Sequence, residues 1–148
     1  MNSKIETEDF NDIWLNPVDG IITSTFGKRI NPILNKEEFH KGIDIGAEEG
    51  SYIIAVKKGK VLEIKLSSTY GNILKYETED GYVIIYAHCK DIFVKKDEFI
   101  EKGQIVASVG NTGGLSTGPH LHYEISKNGV LIDPINYVNL PVLKEAIE

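Results

Sequence analysis

The sequence predicts an all-β fold, a single, mostly antiparallel β-sheet domain with many hairpins and little helix. Three observations carry that expectation. Short runs rich in β-branched and aromatic residues recur along the chain, each bounded by Gly, Asp, Asn or Ser. Apolar residues at helical spacing are nearly absent. Asp80-Gly81 stands between two such runs, where a tight hairpin needs a residue that tolerates positive φ.

Taken in order, Pro17-Val18-Asp19-Gly20 reads as a turn that opens the series, and residues 21–26 as the first strand. Gly27-Lys28-Arg29 reads as a turn and residues 30–38, with Pro32, as a polar loop. Strands are expected over residues 42–45, 52–56, 60–66, 72–77, 82–88, 105–109 and 120–125. Asp133-Pro134 suits a short helical turn, and residues 142–148 a terminal one. The lysine-bearing segments 57–61 and 95–106 read as solvated turns joined to strand starts. With no internal repeat and no low-complexity linker, the layout expected is a polar lead over 1–16, one domain over 17–140 and a tail over 141–148.

At 148 residues the chain can bury one sizeable core. Sixteen basic against 22 acidic residues leave a net charge of −6, which argues against nucleic acid as a partner and against anionic wall polymer or lipid held by charge alone. Cys89 is the single cysteine, so neither an intrachain disulfide nor a cysteine-based zinc site is available. No apolar stretch approaches the ~18 residues of a membrane span. Residues 1–16 carry no signal-peptide pattern, so the residues alone fit either a cytoplasmic chain or a soluble fragment of an exported one.

The chemistry is concentrated in few residues. His120 and His122 are one residue apart, directly after Gly118-Pro119, and even spacing on a strand puts both rings on one face. His40 and Asp44, four apart, fit a helix face or a strand face; Gly42, Ile43, Ile45 and Gly46 favour the strand. Taken alone, each pair is also what a polar strand end facing water looks like. Together, N and O donors from two strands can converge on one divalent ion and leave a position open, as catalytic zinc sites do. In 82–88, alternation places His88 on the face of Ile84 and Tyr86, with Val83, Ile85 and Ala87 opposite. These segments use all four histidines of the chain.

From about Ile21 to Tyr137 the sequence resembles the lysostaphin-type (LytM-like) zinc metallopeptidases, which cleave peptide bonds in peptidoglycan stems or cross-bridges. The matching residues are Phe26-Gly27-x-Arg29-x-x-Pro32, Phe39-His40-x-Gly42-x-Asp44-Ile45, Tyr70-Gly71-Asn72, Tyr86-Ala87-His88, Gly110-Asn111-Thr112-Gly113, the run Ser116 to Glu124, and Asp133-Pro134. The resemblance implies an antiparallel sheet crossed by a metal cleft. It implies one Zn²⁺ per chain held by His40, Asp44 and His122, with His88 and His120 as non-ligating catalytic histidines and Tyr70 on the substrate side. One carboxylate and two neutral imidazoles would leave the ion positive enough to activate water and polarise an amide. Histidines with ordinary pKa near ~6.5 suit the proton transfers, in either order.

The implied function is therefore a zinc endopeptidase acting on peptidoglycan peptide, outside the cytoplasm in the cell envelope, with its export signal or anchor not in the chain as given. The alternative is a non-catalytic zinc-binding scaffold or partner domain in an envelope or sporulation complex. Such family members often lack a ligand; here the set is complete, which favours the enzyme. Two departures stand out. Cys89 replaces the family's usual apolar residue after His88 and reads as a small hydrophobe turned away from it. The loop at 113–116 is one residue longer than the common form and borders the histidine pair.

Overall fold

The computed structural model describes residues 13–30, 33–113 and 118–144. Among the described residues there are twelve strands: β1 (Ile21–Ser24), β2 (Gly27–Ile30), β3 (Glu37–His40), β4 (Ile43–Gly46), β5 (Tyr52–Ile54), β6 (Gly59–Ser67), β7 (Gly71–Thr78), β8 (Tyr82–Ile92), β9 (Phe99–Ile100), β10 (Ile105–Val109), β11 (His120–Lys127) and β12 (Val130–Ile132). Ten of them form one sheet along the order β1-β4-β11-β8-β7-β6-β9, with β12 on β11 and β10 joining β5 to β8; every pairing between these strands is antiparallel. β2 and β3 make a separate hairpin. The fold is all-β, as the turn-bounded apolar runs require.

Alternation builds the core. Ile43 and Ile45 on β4, Leu74 and Tyr76 on β7, Ile84 and Tyr86 on β8, and Leu121, Tyr123 and Ile125 on β11 are fully buried together. Two tyrosine hydroxyls tie β5 to this layer: Val56 N–H donates to Tyr76 Oη (3.0 Å), which lies 2.9 Å from Tyr86 Oη, and Tyr86 donates to the Ile54 carbonyl (2.8 Å). A buried hydroxyl without a partner would cost the desolvation of that group, so these bonds let large aromatic area enter the core.

The expected hairpin at Asp80-Gly81 is present. Gly81 has φ +90° and its N–H donates to the Thr78 carbonyl (3.1 Å) across the turn from β7 to β8. The 3-10 turn Pro134–Tyr137 also starts where expected, capped by Asp133, whose side chain accepts from Ile135 N–H (3.0 Å).

Two expectations need correction. The supposed turn 27–29 and loop 30–38 contain the β2–β3 hairpin, in which Gly27 pairs with His40 and Ile30 with Glu37. Its charged, half-exposed residues lack an apolar alternation, so no strand signal was available. β9 and β12 were too short to register. Pro32, the segment 114–117 of the lengthened loop, residues 1–12 of the lead and residues 145–148 of the terminal turn lie outside the described residues. Within the described C-terminal part, Val142 bridges to Ile22.

Gly71, at φ +67°, opens β7 hard against Thr112: an added Cβ would lie 2.1 Å from Thr112 Oγ1 and 2.6 Å from its backbone. Gly71→Ala is therefore expected to destabilise the fold by more than ~2 kcal/mol, combining left-handed strain with a clash against backbone. A denaturant midpoint shift checks it.

Candidate functional site

β11 carries the site on the face opposite the core. His120, His122 and Glu124 alternate with Leu121, Tyr123 and Ile125, and all six are buried. β4 lies antiparallel beside it with Asp44 directly opposite His122, and on the other flank β8 sets Ala87 opposite His122. His122 Nδ1 is 2.9 Å from Asp44 Oδ1.

His40 does not share a strand with Asp44, contrary to the sequence expectation. It ends β3, and Lys41-Gly42 cross to β4. Gly42 runs so close over β11 that an added Cβ would sit 2.2 Å from the Tyr123 carbonyl, which explains the glycine as a crossing point and not as strand interior. The crossing brings His40 Nε2 to 3.3 Å from Asp44 Oδ1.

His88 is a second correction. Strict alternation would have put it on the core face with Ile84 and Tyr86. Instead β7 and β8 slip by one residue between the pairs Leu74–Tyr86 and Asn72–Cys89, and His88 takes φ +61°. This bulge gives the core position to Cys89, which is fully buried there, and turns His88 toward the site. The His88 ring lies 4.8 Å from that of His120 and 6.1 Å from that of His122. The Tyr70 carbonyl accepts from His88 N–H (2.8 Å), fastening the bulge to the loop that presents Tyr70. Cys89 does point away from His88, and burial pushes its thiol up to about 12, as befits an inert hydrophobe.

The structure thus brings all six expected residues together: His40, Asp44, Tyr70, His88, His120 and His122 line one cleft, with Arg29, Phe39 and Lys41 on its wall. His40, Asp44 and His122 offer three donor atoms within 4.8 Å of one another. Bonds of ~2.0–2.1 Å to a tetrahedral ion put neighbouring ligand atoms about 3.3 Å apart, so the 2.9 and 3.3 Å separations at Asp44 fit such an ion with little movement. His120 Nε2, 3.8 Å from Asp44 Oδ1, stands next to this group.

Backbone carbonyls select which ring nitrogen faces inward. His40 Nδ1 donates to Thr25 (2.9 Å), His120 Nδ1 donates to Gly118 (2.7 Å), and His88 Nδ1 donates to Thr112. For His88 and His120 this leaves Nε2 directed elsewhere with its lone pair free in the neutral ring, whereas His40 Nε2 faces Asp44. His122 is turned the other way: Nε2 lies 2.8 Å from Glu124 Oε2 and Nδ1 faces Asp44.

Burial opposes charge on His122, but its bonds to Asp44 and then Glu124 prevail and raise it to about 9. Burial would raise Asp44 too, yet bonds from His122 and His40 hold it well below the carboxylate range. Without metal the pair is an imidazolium and a carboxylate; its stabilisation is complete between pH 3.8 and 6.5, is lost on the His122 side as pH rises through about 9, and is lost on the Asp44 side as pH falls below 3.8. A metal must displace the Nδ1 proton. Divalent-ion affinity is therefore expected to rise about tenfold per pH unit between about 6.5 and about 9, measurable by titration calorimetry in several buffers. His88 goes the opposite way: burial, only partly offset by the Thr112 carbonyl, lowers it to about 4, so it is neutral at pH 7. Tyr70, half-buried, is raised first by burial and then by Glu124, and keeps its proton.

The model of Peptidase family M23 matches residues 38–134, from β3 to the start of the 3-10 turn. The chain belongs to peptidase family M23. This M23 domain is 37% identical over 120 residues to the DD-carboxypeptidase/endopeptidase Mpg of Neisseria meningitidis serogroup B, covering 81% of the chain and 27% of that protein. It is 33% identical over 126 residues to the murein hydrolase activator NlpD of Escherichia coli K12, covering 84% and 31%. The chain thus spans under a third of the length of these relatives. Among solved structures, a zinc-containing peptidase from Vibrio cholerae superposes with TM-score 0.74 at 30% identity, covering 88% of this chain and 40% of that one. The catalytic domain of lysostaphin from Staphylococcus simulans gives TM-score 0.67 at 28% identity, covering 80% and 89%.

Sequence reasoning passed over Glu124 as a site residue, although even spacing from His120 and His122 put the signal in plain view. It is buried, and its Oε2 lies 2.8 Å from His122 Nε2, where it fixes the orientation of that imidazole. Glu124→Ala is expected to weaken metal binding ~10–100-fold, with Glu124→Gln recovering part of the loss, as read by chelator competition.

Proposed function

We propose that the M23 domain is a zinc-dependent endopeptidase that hydrolyses peptide bonds in peptidoglycan stems or cross-bridges. It would act outside the cytoplasm, as residues 17–140 between a lead (1–16) and a tail (141–148). The observation that carries this reading is the convergence of five groups in one cleft: donor atoms of His40, Asp44 and His122 within 4.8 Å, with the His88 and His120 rings 4.8 Å apart beside them. A store or clasp for metal has no use for the last two.

His40, Asp44 and His122 would hold one Zn²⁺, whose borderline-soft character suits two imidazoles and a carboxylate. When bound, the ion supplies Lewis-acid activation of water and of the scissile carbonyl. The rest falls to the chain. His88, neutral at pH 7 with Nδ1 tied to Thr112, presents Nε2 as a proton acceptor. His120, fixed through Gly118, presents Nε2 on the other side, and the two divide acceptance of the water proton and support of the oxyanion or departing amine. Tyr70, still protonated, offers a hydroxyl to substrate from the cleft wall.

Mpg and lysostaphin support the wall peptide as substrate class. NlpD, named a hydrolase activator, supports a second reading, a zinc-binding partner domain in an envelope assembly. Digestion of purified peptidoglycan by the zinc-loaded chain separates the two, with fragments identified by mass spectrometry. New peptide termini are expected; full zinc occupancy with no new fragment from any wall chemotype would leave only the partner reading.

A further inference from the structure

His88 owes its place in the cleft to a bulge, and two residues that do not line the cleft hold that bulge. Thr112 grips it at two points: its carbonyl accepts from His88 Nδ1–H, and its hydroxyl donates to the Cys89 carbonyl (3.0 Å). Asn72, opposite Cys89 on β7, completes the network. Its N–H donates to Thr112 Oγ1 (3.2 Å), and its side-chain amide donates to the carbonyls of Cys89 (3.0 Å) and Lys90 (3.3 Å). Asn72, Thr112 and Cys89 are thus bonded pairwise, next to His88. The turn that carries Thr112 is packed tightly here: a Cβ added to Gly110 would lie 2.8 Å from the His88 carbonyl.

A left-handed φ is costly for a residue with a side chain, so His88 keeps +61° only because its surroundings over-determine it. The same contacts decide its proton. A neutral imidazole in water carries the proton mostly on Nε2, and in that form Nε2 cannot accept another. A carbonyl on Nδ1 reverses the preference.

We propose that Thr112 and Asn72 are positioning residues for His88: they lock the bulge so that the Thr112 carbonyl holds the imidazole as its Nδ1–H tautomer, with a bare Nε2 for the cleft. The Thr112 hydroxyl is the decisive group. Without it the carbonyl loses its tie to Cys89, and the Asn72 N–H loses its acceptor. The catalytic use of His88 rests on the endopeptidase reading; its tautomer does not.

Nitrogen-15 NMR of the zinc-loaded, histidine-labelled chain tests the tautomer, with the His88 signals identified by their loss in His88→Gln. The wild type is expected to show Nδ1 protonated and Nε2 bare at pH 7. Thr112→Val, which keeps the shape and removes the hydroxyl, is expected to move proton population to Nε2, and Thr112→Ser to restore the wild-type pattern. Asn72→Ala, which keeps the backbone N–H and removes only the two amide bonds, is expected to shift it in the same direction and carries the comparison if the valine variant does not fold. On wall peptide, Thr112→Val should lower kcat about ten- to a hundredfold with zinc retained, and should cost nothing further in a His88→Gln background. A merely structural role would lower the rate by the same factor in both backgrounds, and that result overturns the proposal. So does a wild-type His88 with its proton on Nε2, or a tautomer unchanged in both Thr112→Val and Asn72→Ala. If the wild type cuts no wall peptide, the endopeptidase reading fails and the NMR comparison still decides the positioning.

Discussion

Asp44→Ala is expected to abolish zinc binding at physiological concentrations, lowering affinity by roughly 10²–10³-fold. Asp44 Oδ1 is the hub of the site, 2.9 Å from His122 Nδ1, 3.3 Å from His40 Nε2 and 3.8 Å from His120 Nε2. Binding energies of ~10–16 kcal/mol for four-ligand zinc sites assign about 2.5–4 kcal/mol to each ligand, which is the expected loss. The alanine also strands the buried His122 imidazolium with Glu124 as its remaining anion, so the metal-free fold should lose stability at neutral pH. Chelator competition reads the first effect and thermal unfolding the second. The expected sign of each is unambiguous.

His120→Ala should behave differently. His120 touches the ligand group from outside and is anchored to Gly118, so its removal leaves His40, Asp44 and His122 in place. One zinc per chain is expected to remain, while the rate of peptidoglycan cleavage falls by about 10²–10⁴, the usual worth of a positioned proton-transfer group. The loss should appear in kcat more than in KM, because an imidazole that serves the transition state contributes little to ground-state binding. Native mass spectrometry with steady-state kinetics on the same preparation separates metal retention from catalysis.

Much of this site is legible in the residues themselves. His120 and His122 lie on one strand, where period-two alternation is enforced by Leu121 and Tyr123 entering the core. Asp44 is likewise fixed by Ile43 and Ile45. Two placements were not readable for physical reasons. His88 reaches the cleft through a bulge and a positive φ, and a one-residue slip in register leaves no mark on a hydrophobic pattern. His40 arrives from a hairpin of charged residues whose strands are held by pairing and by the Phe26–Phe39 contact (5.2 Å) rather than by core burial. Glu124 was legible by spacing alone and needed only the question of what orients His122.

The most direct test of the division of labour is the zinc-edge X-ray absorption spectrum of the loaded chain at neutral pH. Multiple scattering should report two imidazoles, with the remaining ligands oxygen at ~2.0–2.2 Å, and the spectrum of His120→Ala should keep that count. Three or four imidazoles in the wild type, falling by one in His120→Ala, would contradict the assignment of His40, Asp44 and His122 to the metal and of His88 and His120 to the chemistry beside it.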